Sequence, residues 1–175
     1  MKVVIISGSP RKNANTKIMM KHVFEYTKQK NPDTKFINLS EDGFEYYRGF
    51  LNEIDYNEKT LQAAQDITEA DVWLIGTPIY NSMFSAALKN LFEFVNYKET
   101  GGKTAGLAIL ASGMIGFTDV QTLLTQLMSY FRVITNPTPV FLTADTIKDG
   151  QITSDDAKSR LDELVDKTLS MAESK

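Results

Sequence analysis

Lys2-Val3-Val4-Ile5-Ile6-Ser7-Gly8-Ser9-Pro10-Arg11-Lys12-Asn13-Ala14-Asn15-Thr16 decides the fold. Its apolar start, Val3 to Ile6, predicts a buried strand, and the small-residue turn after it opens near Asn15 onto a helical pattern. A strand, a tight turn and a helix start in that order present unpaired backbone N–H groups and the positive end of a helix dipole to an anion. Ser9, Asn13, Asn15 and Thr16 add side-chain hydrogen-bonding groups, and Arg11 carries a planar fork matched to phosphate oxygens. The stretch fits neither GxGxxG nor GxxxxGK[ST], so a mononucleotide phosphate is favoured over a dinucleotide or a P-loop triphosphate. The other reading of these residues is an ordinary βα turn whose Ser and Asn cap a helix. Position favours the cradle, because the first βα turn of an open α/β sheet lies at the carboxyl edge, where ligands sit at the topological switch point.

Outward from this stretch, apolar runs alternate with helical patterns, the signature of parallel βαβ units. A helix is expected from about Asn15 to Gln29, stopped at Asn31-Pro32, then a short strand Thr34–Leu39. A helix near Lys59–Glu69 leads to Asp71–Thr77, a nearly continuous apolar run suited to a central parallel strand. The next helix starts around Ser82–Ser85 and carries Leu88, Leu91, Phe92 and Val95 at helical spacing. Lys103–Ala111 makes a fourth strand and Asp119–Phe131 a fourth helix. The fifth strand, Val133-Ile134 with Pro139-Val140-Phe141, is broken or bent by two prolines. The last helix begins at Thr153 or Ser154, with Asp155 and Asp156 in an acidic first turn. Five strands alternating with helices predict a flavodoxin-like doubly wound α/β sheet, order 2-1-3-4-5, in one domain spanning 1–175. One irregular stretch, Ser40 to Asn57, is acidic and aromatic, with Phe44, Tyr46, Tyr47, Phe50 and Tyr56, and either covers a ligand or partner or packs over the core.

Composition narrows the chemistry. Zero cysteines exclude disulfides, thiolate metal sites, iron–sulfur clusters and a Cys nucleophile, and the single His22 leaves no His-based metal site. A net charge of −3 with a pI near 5.2 argues against nucleic-acid binding, so any anion site is local, beside Arg11, Lys12 and Lys17. No apolar run is long enough for a membrane span and Met1-Lys2 leads straight into a strand, so a cytoplasmic protein is expected.

If the third strand is central, the loop after it faces the first loop. That loop, Gly76-Thr77-Pro78-Ile79-Tyr80-Asn81-Ser82-Met83, leaves the sheet stiffly because Pro78 fixes one torsion and holds Thr77 extended. Tyr80 offers an aromatic face and the amides of Asn81, Ser82 and Met83 approach a helix start, which suits a flat heteroaromatic ring. In the loop after strand four, Ala111-Ser112-Gly113-Met114-Ile115-Gly116-Phe117, the glycines permit close backbone approach. Three successive loops read as phosphate cradle, ring platform and ring edge, and together they favour a flavin mononucleotide site.

Here the chain resembles the NADPH-dependent FMN reductase family of flavodoxin-like proteins. The resemblance rests on Gly8–Thr16 and on Thr77-Pro78-Ile79-Tyr80 with Ser85-Ala86-Ala87-Leu88-Lys89-Asn90, more weakly on the Ala111-Ser112-Gly113 unit, and spans roughly Met1 to Phe141. It implies FMN phosphate contacts from Ser9, Arg11, Asn13, Asn15 and Thr16. It also implies ring contacts from Pro78, Ile79, Tyr80, Asn81, Ser82 and Met83, with Ser112 and Gly113 near the pyrimidine edge. Implied too are NADPH or NADH as hydride donor, a homodimer or homotetramer, and a small-molecule acceptor (flavin, quinone, azo or nitro compound). The chain departs from the iron–sulfur flavoprotein branch, having no cysteine between Leu39 and Phe50, and has Asn81-Ser82-Met83 where many relatives carry a glycine. Arg11 and Arg48 are the candidates for a 2′-phosphate contact.

Backbone N–H groups around Ser112-Gly113-Met114 are expected to stabilise negative charge at the flavin N1–O2 edge, with no obligatory side-chain acid and no catalytic residue assigned. Two readings compete: a flavodoxin-type single-electron carrier, and a non-enzymatic flavin-binding module. A phosphoacceptor receiver domain shares the sheet order but needs an acidic cluster after strand one and an acceptor Asp after strand three, where this chain has Ser7-Gly8-Ser9 and Thr77-Pro78. The helix from Phe84 to Val95 is apolar over more than one stripe, which fits either oligomerisation or a helix packed on two sides by its own domain.

Overall fold

The structure is a computed structural model that describes residues 1–49 and 55–174; Phe50 of the aromatic stretch lies outside them. Its strands are β1 (Val3–Ser7), β2 (Thr34–Asn38), β3 (Val72–Pro78), β4 (Thr104–Ala111), β5 (Ile134–Thr135), β6 (Val140–Thr143), β7 (Ile147–Lys148) and β8 (Gln151–Ile152). Its α-helices are α1 (Asn15–Lys30), α2 (Glu58–Glu69), α3 (Ala86–Glu93), α4 (Phe117–Tyr130) and α5 (Asp155–Glu173). The main sheet runs β2-β1-β3-β4, and β5 and β6 both pair with β4 as two pieces of one fifth position. Every pairing in it is parallel.

The expected sheet order is thus observed, and burial explains it. All seven residues of β3 and all eight of β4 are buried, as a strand covered on both faces requires. Alternation along the strands sends Val4, Ile6, Trp73 and Ile75 to one face, packed by α2, α3 and α4. Val3, Ile5 and Leu74 go to the other, packed by α1 and α5. The fifth strand breaks at Pro137 and Pro139, and buried Asn136 fills the gap: its amide donates to Thr168 Oγ1 at 3.0 Å, its backbone N–H to Ala105 O at 2.7 Å.

One expectation needs correction, and one element was not expected. The third helix ends at Glu93, short of Val95, because Asn96 turns the chain: its side chain accepts from Lys98 N and its own N–H donates to Thr68 Oγ1. A small antiparallel hairpin, β7 and β8, also joins β6 to α5, turning at Asp149 and Gly150, both with positive φ. Most of the described aromatic stretch packs inward, whereas Tyr46 points to solvent, 80% exposed. Tyr47 and Tyr56 lie parallel, 6.2 Å apart, and both meet Phe94 edge-on, while Phe44 joins the core beneath α2 and α3.

Candidate functional site

The carboxyl ends of β1, β3, β4 and β6 meet at one cavity of about 180 Å³. Ser9, Arg11, Asn13, Asn15, Thr16, Pro78, Ile79, Tyr80 and Ser112 line it, together with Ala14, Leu110, Ala111 and Ala144. Nine of the thirteen residues expected from sequence are therefore brought together. Asn81 and Met83 instead line, with Tyr80, a neighbouring apolar cavity of about 700 Å³ between the Tyr80 loop, α3 and α4. Ser82 sits at the tip of its turn and Gly113 in the exposed β4–α4 loop, both outside the lining. The four linings missed are small or apolar side chains; only their places, Ala14 before α1, Leu110 and Ala111 at the end of β4 and Ala144 after β6, could have announced them.

The cradle is built from the backbone up. Gly8 crosses β3 so closely that an added Cβ would lie 2.7 Å from Gly76 O, and its N–H donates to that same oxygen at 2.7 Å. Only glycine allows this approach. Helix α1 then starts without help: Ala14 at its N-cap has no side-chain acceptor, and no acidic residue stands in the first turn. By contrast α2, α3 and α5 are capped by Asn57, Ser85 and Ser154. An uncapped N-terminus leaves its first N–H groups for an anion.

The ring loop is stiff. Tyr80 and Met83 exchange two backbone hydrogen bonds, 2.9 and 3.0 Å, around Asn81 (φ 50°) and Ser82 (φ 63°), a tight turn with two non-glycine residues in left-handed conformation. Ile79 N donates to Leu110 O at 3.0 Å, which fixes the loop to β4. Gly116, with φ 89°, starts α4 without a side-chain cap and packs against Ile79. Tyr80 joins the two loops: its hydroxyl is 3.0 Å from Ser9 Oγ, and the Arg11 guanidinium lies 4.8 Å from its ring centroid.

Charge in the cavity has one sign. None of the thirteen lining residues is acidic and Arg11 is the cation among them. Asp145, next to Ala144, has its carboxyl held below the ordinary range by the Thr143 hydroxyl and its own backbone N–H, and it stands in water. Ser7 Oγ, one residue before the cradle, is the buried side-chain oxygen without a hydrogen-bond partner among the described residues. Hydroxyls, amides, a guanidinium and an uncapped helix start, side by side with Pro78, Ile79 and Tyr80, fit a phosphorylated flavin. Arg48 is not at this site: it stacks on Tyr56 and donates to Asp55 O.

Among the described residues no helix is long and apolar enough to cross a membrane, and no cluster of three metal-ligating side chains occurs.

The family model described as NADPH-dependent FMN reductase matches residues 1–146. An NAD(P)H-dependent FAD/FMN reductase from Geobacillus thermodenitrificans is 27% identical over 147 residues, which are 83% of this chain and 78% of that protein. An NADPH azoreductase from Bacillus sp. is 26% identical over 171 residues, 94% of this chain and 89% of that one. In fold, the chain is similar to FerB, a flavoenzyme NAD(P)H:(acceptor) oxidoreductase from Paracoccus denitrificans, with a TM-score of 0.78 at 22% identity, covering 99% of this chain and 97% of that one.

Proposed function

The chain belongs to the NADPH-dependent FMN reductase family and is an FMN-dependent NAD(P)H oxidoreductase; on that premise we propose that the cavity at the carboxyl ends of β1, β3 and β4 is its FMN site. The observation that carries the reading is the convergence of an uncapped α1, Arg11 and the Tyr80 loop on one cavity without a carboxylate. When bound, FMN accepts hydride from NAD(P)H and passes it to an acceptor, chemistry that a chain with no cysteine and one histidine does not supply from its own side chains. Arg11 and the first amides of α1 neutralise the phosphate, and Ser9, Asn13, Asn15 and Thr16 orient it. Pro78, Ile79 and Tyr80 wall the ring. Of the loop after β4, Ser112 lines the cavity, and its backbone N–H, with those of Gly113 and Met114 beyond it, would donate to the ring edge where negative charge develops. Asn81, Ser82 and Met83 hold the turn that sets the height of this wall.

The acceptor is proposed to be a small aromatic molecule of the flavin, quinone, azo or nitro type, taken up in the larger apolar cavity that shares Tyr80. We also propose a homo-oligomer, a dimer or tetramer, in which the outer face of α3 and α4 meets a second copy. The support is apolar exposure at the end of α4 and on the segments flanking α3: Tyr130 is 61% exposed and touches the partly exposed ring of Tyr97, and Met83 is 49% exposed, whereas the large apolar side chains of α3 itself face the core. The single domain is taken to work in the cytoplasm, where its pyridine nucleotide donor is made.

The test is anaerobic. Purified chain reconstituted with FMN is mixed with NADPH or NADH, and flavin absorbance is followed against free FMN. Rapid protein-dependent bleaching is expected. Binding without bleaching points instead to an electron carrier, and no binding removes the assignment of all three loops.

A further inference from the structure

Ser85 is wholly buried and makes three hydrogen bonds, two through its hydroxyl and one through its backbone N–H. Its Oγ donates to the backbone carbonyl of Gly8, the first residue of the cradle, across 77 positions of sequence. The same Oγ accepts from Leu88 N at 3.0 Å and so caps α3. Its backbone N–H donates to Thr77 Oγ1 at 3.2 Å, and that buried hydroxyl in turn donates to Pro78 O at 3.0 Å. Thr77 and Ser85 are the two ends of the ring loop, so one short network closes that loop and clamps it to the phosphate cradle. Gly8 is then held on both sides, by Gly76 O on its N–H and by Ser85 on its carbonyl.

From this arrangement we infer that Ser85 is a positioning residue for the cofactor: it fixes the cradle relative to the ring platform, and so sets the phosphate-to-ring span that the site accepts. The inference rests on the cofactor assignment above. Division of labour follows from which atom makes which bond. Removing the Ser85 hydroxyl releases the Gly8 carbonyl, leaving Gly8 held through its N–H alone, but keeps the loop closed, because that closure uses the backbone N–H of Ser85. Removing the Thr77 hydroxyl opens the loop and leaves the cradle held. The first change acts on the phosphate end, the second on the ring end.

The experiment compares FMN with riboflavin, which lacks the phosphate, by fluorescence titration on the full chain. Wild-type protein is expected to prefer FMN. Ser85→Ala is expected to reduce that preference by about tenfold, the size expected for loss of one buried hydrogen bond, with riboflavin affinity little changed. Ser85→Gly, which keeps a tolerated N-cap, separates the tether from the cap and is expected to give the same loss with less thermal destabilisation. Thr77→Val is expected to weaken both ligands in equal proportion, and Thr77→Ser to restore them. A lower Tm with an unchanged FMN-to-riboflavin ratio in both Ser85 variants overturns the inference and leaves the cofactor site standing. A wild-type chain with no preference for FMN overturns the cofactor site, and the tether with it.

Discussion

Arg11 is the residue on which the phosphate reading turns, since it is the one cation among the residues lining the cavity. Its charge-assisted contact with a phosphate belongs to the stronger class of hydrogen bonds. Arg11→Ala is therefore expected to weaken FMN binding by about 10- to 100-fold, while reduction of the fully loaded enzyme by NADPH changes little. Equal FMN affinity in a titration of variant and parent would remove Arg11 from the site. Gly8 makes a complementary prediction about shape. A methyl group there meets the Gly76 carbonyl at 2.7 Å, in backbone that has no room to yield. Gly8→Ala should cost about 1–3 kcal/mol of stability and most of the FMN affinity, measured by denaturant unfolding and by titration. A variant of parental stability would mean that the cradle is softer than the structure has it.

At the scale of elements, the turn Tyr80–Met83 carries strain that can be relieved. Ser82 has φ 63°, a conformation that costs an L-residue roughly 1–2 kcal/mol and a glycine little. Ser82→Gly should therefore raise Tm by about 2–4 °C, and calorimetry reads the shift directly. The sequence already pointed to this turn, because Pro78 and the helix start near Ser85 bracket it; which two residues take positive φ was not legible, since Asn-Ser is a weak turn signal. By contrast Lys148-Asp149-Gly150-Gln151 carries the strong Asp-Gly hairpin signal and could have been read as β7–β8. At the opposite edge of the sheet, Lys103 donates to Ala70 O at the end of α2 at 2.7 Å, and burial pushes its pKa below the ordinary 10.5. Folding then favours its neutral form. As pH rises through the folded value toward 10.5, the unfolded chain holds the extra proton, so this group makes stability rise with pH in that window. Lys103→Met should flatten that part of the rise in unfolding free energy; an unchanged slope contradicts it.

Across the whole molecule, the order 2-1-3-4-5 was legible because strands alternate with helices, β3 reads as a nearly continuous apolar run and the last helix carries a clear stripe. Contacts between loops far apart in sequence were not legible: nothing in Ser85 or Gly8 alone announces that they touch. The same holds for the cavity linings Ala14, Leu110 and Ala144, which contribute position rather than chemistry. The face of α3 and α4 predicts an assembly. Tyr130 borders the larger cavity on that face and is exposed, so Tyr130→Glu should convert a dimer to a monomer in light scattering, with the fold kept. A parental chain that is monomeric at working concentration rules this assembly out.

The most direct measurement is a crystal structure of the chain with FMN bound. The phosphate is expected at the start of α1, within hydrogen-bonding distance of Arg11 and the amides of Asn15 and Thr16, with the ring between the Tyr80 loop and Ser112. Phosphate bound anywhere else, or a ring lying away from Tyr80, would contradict the account.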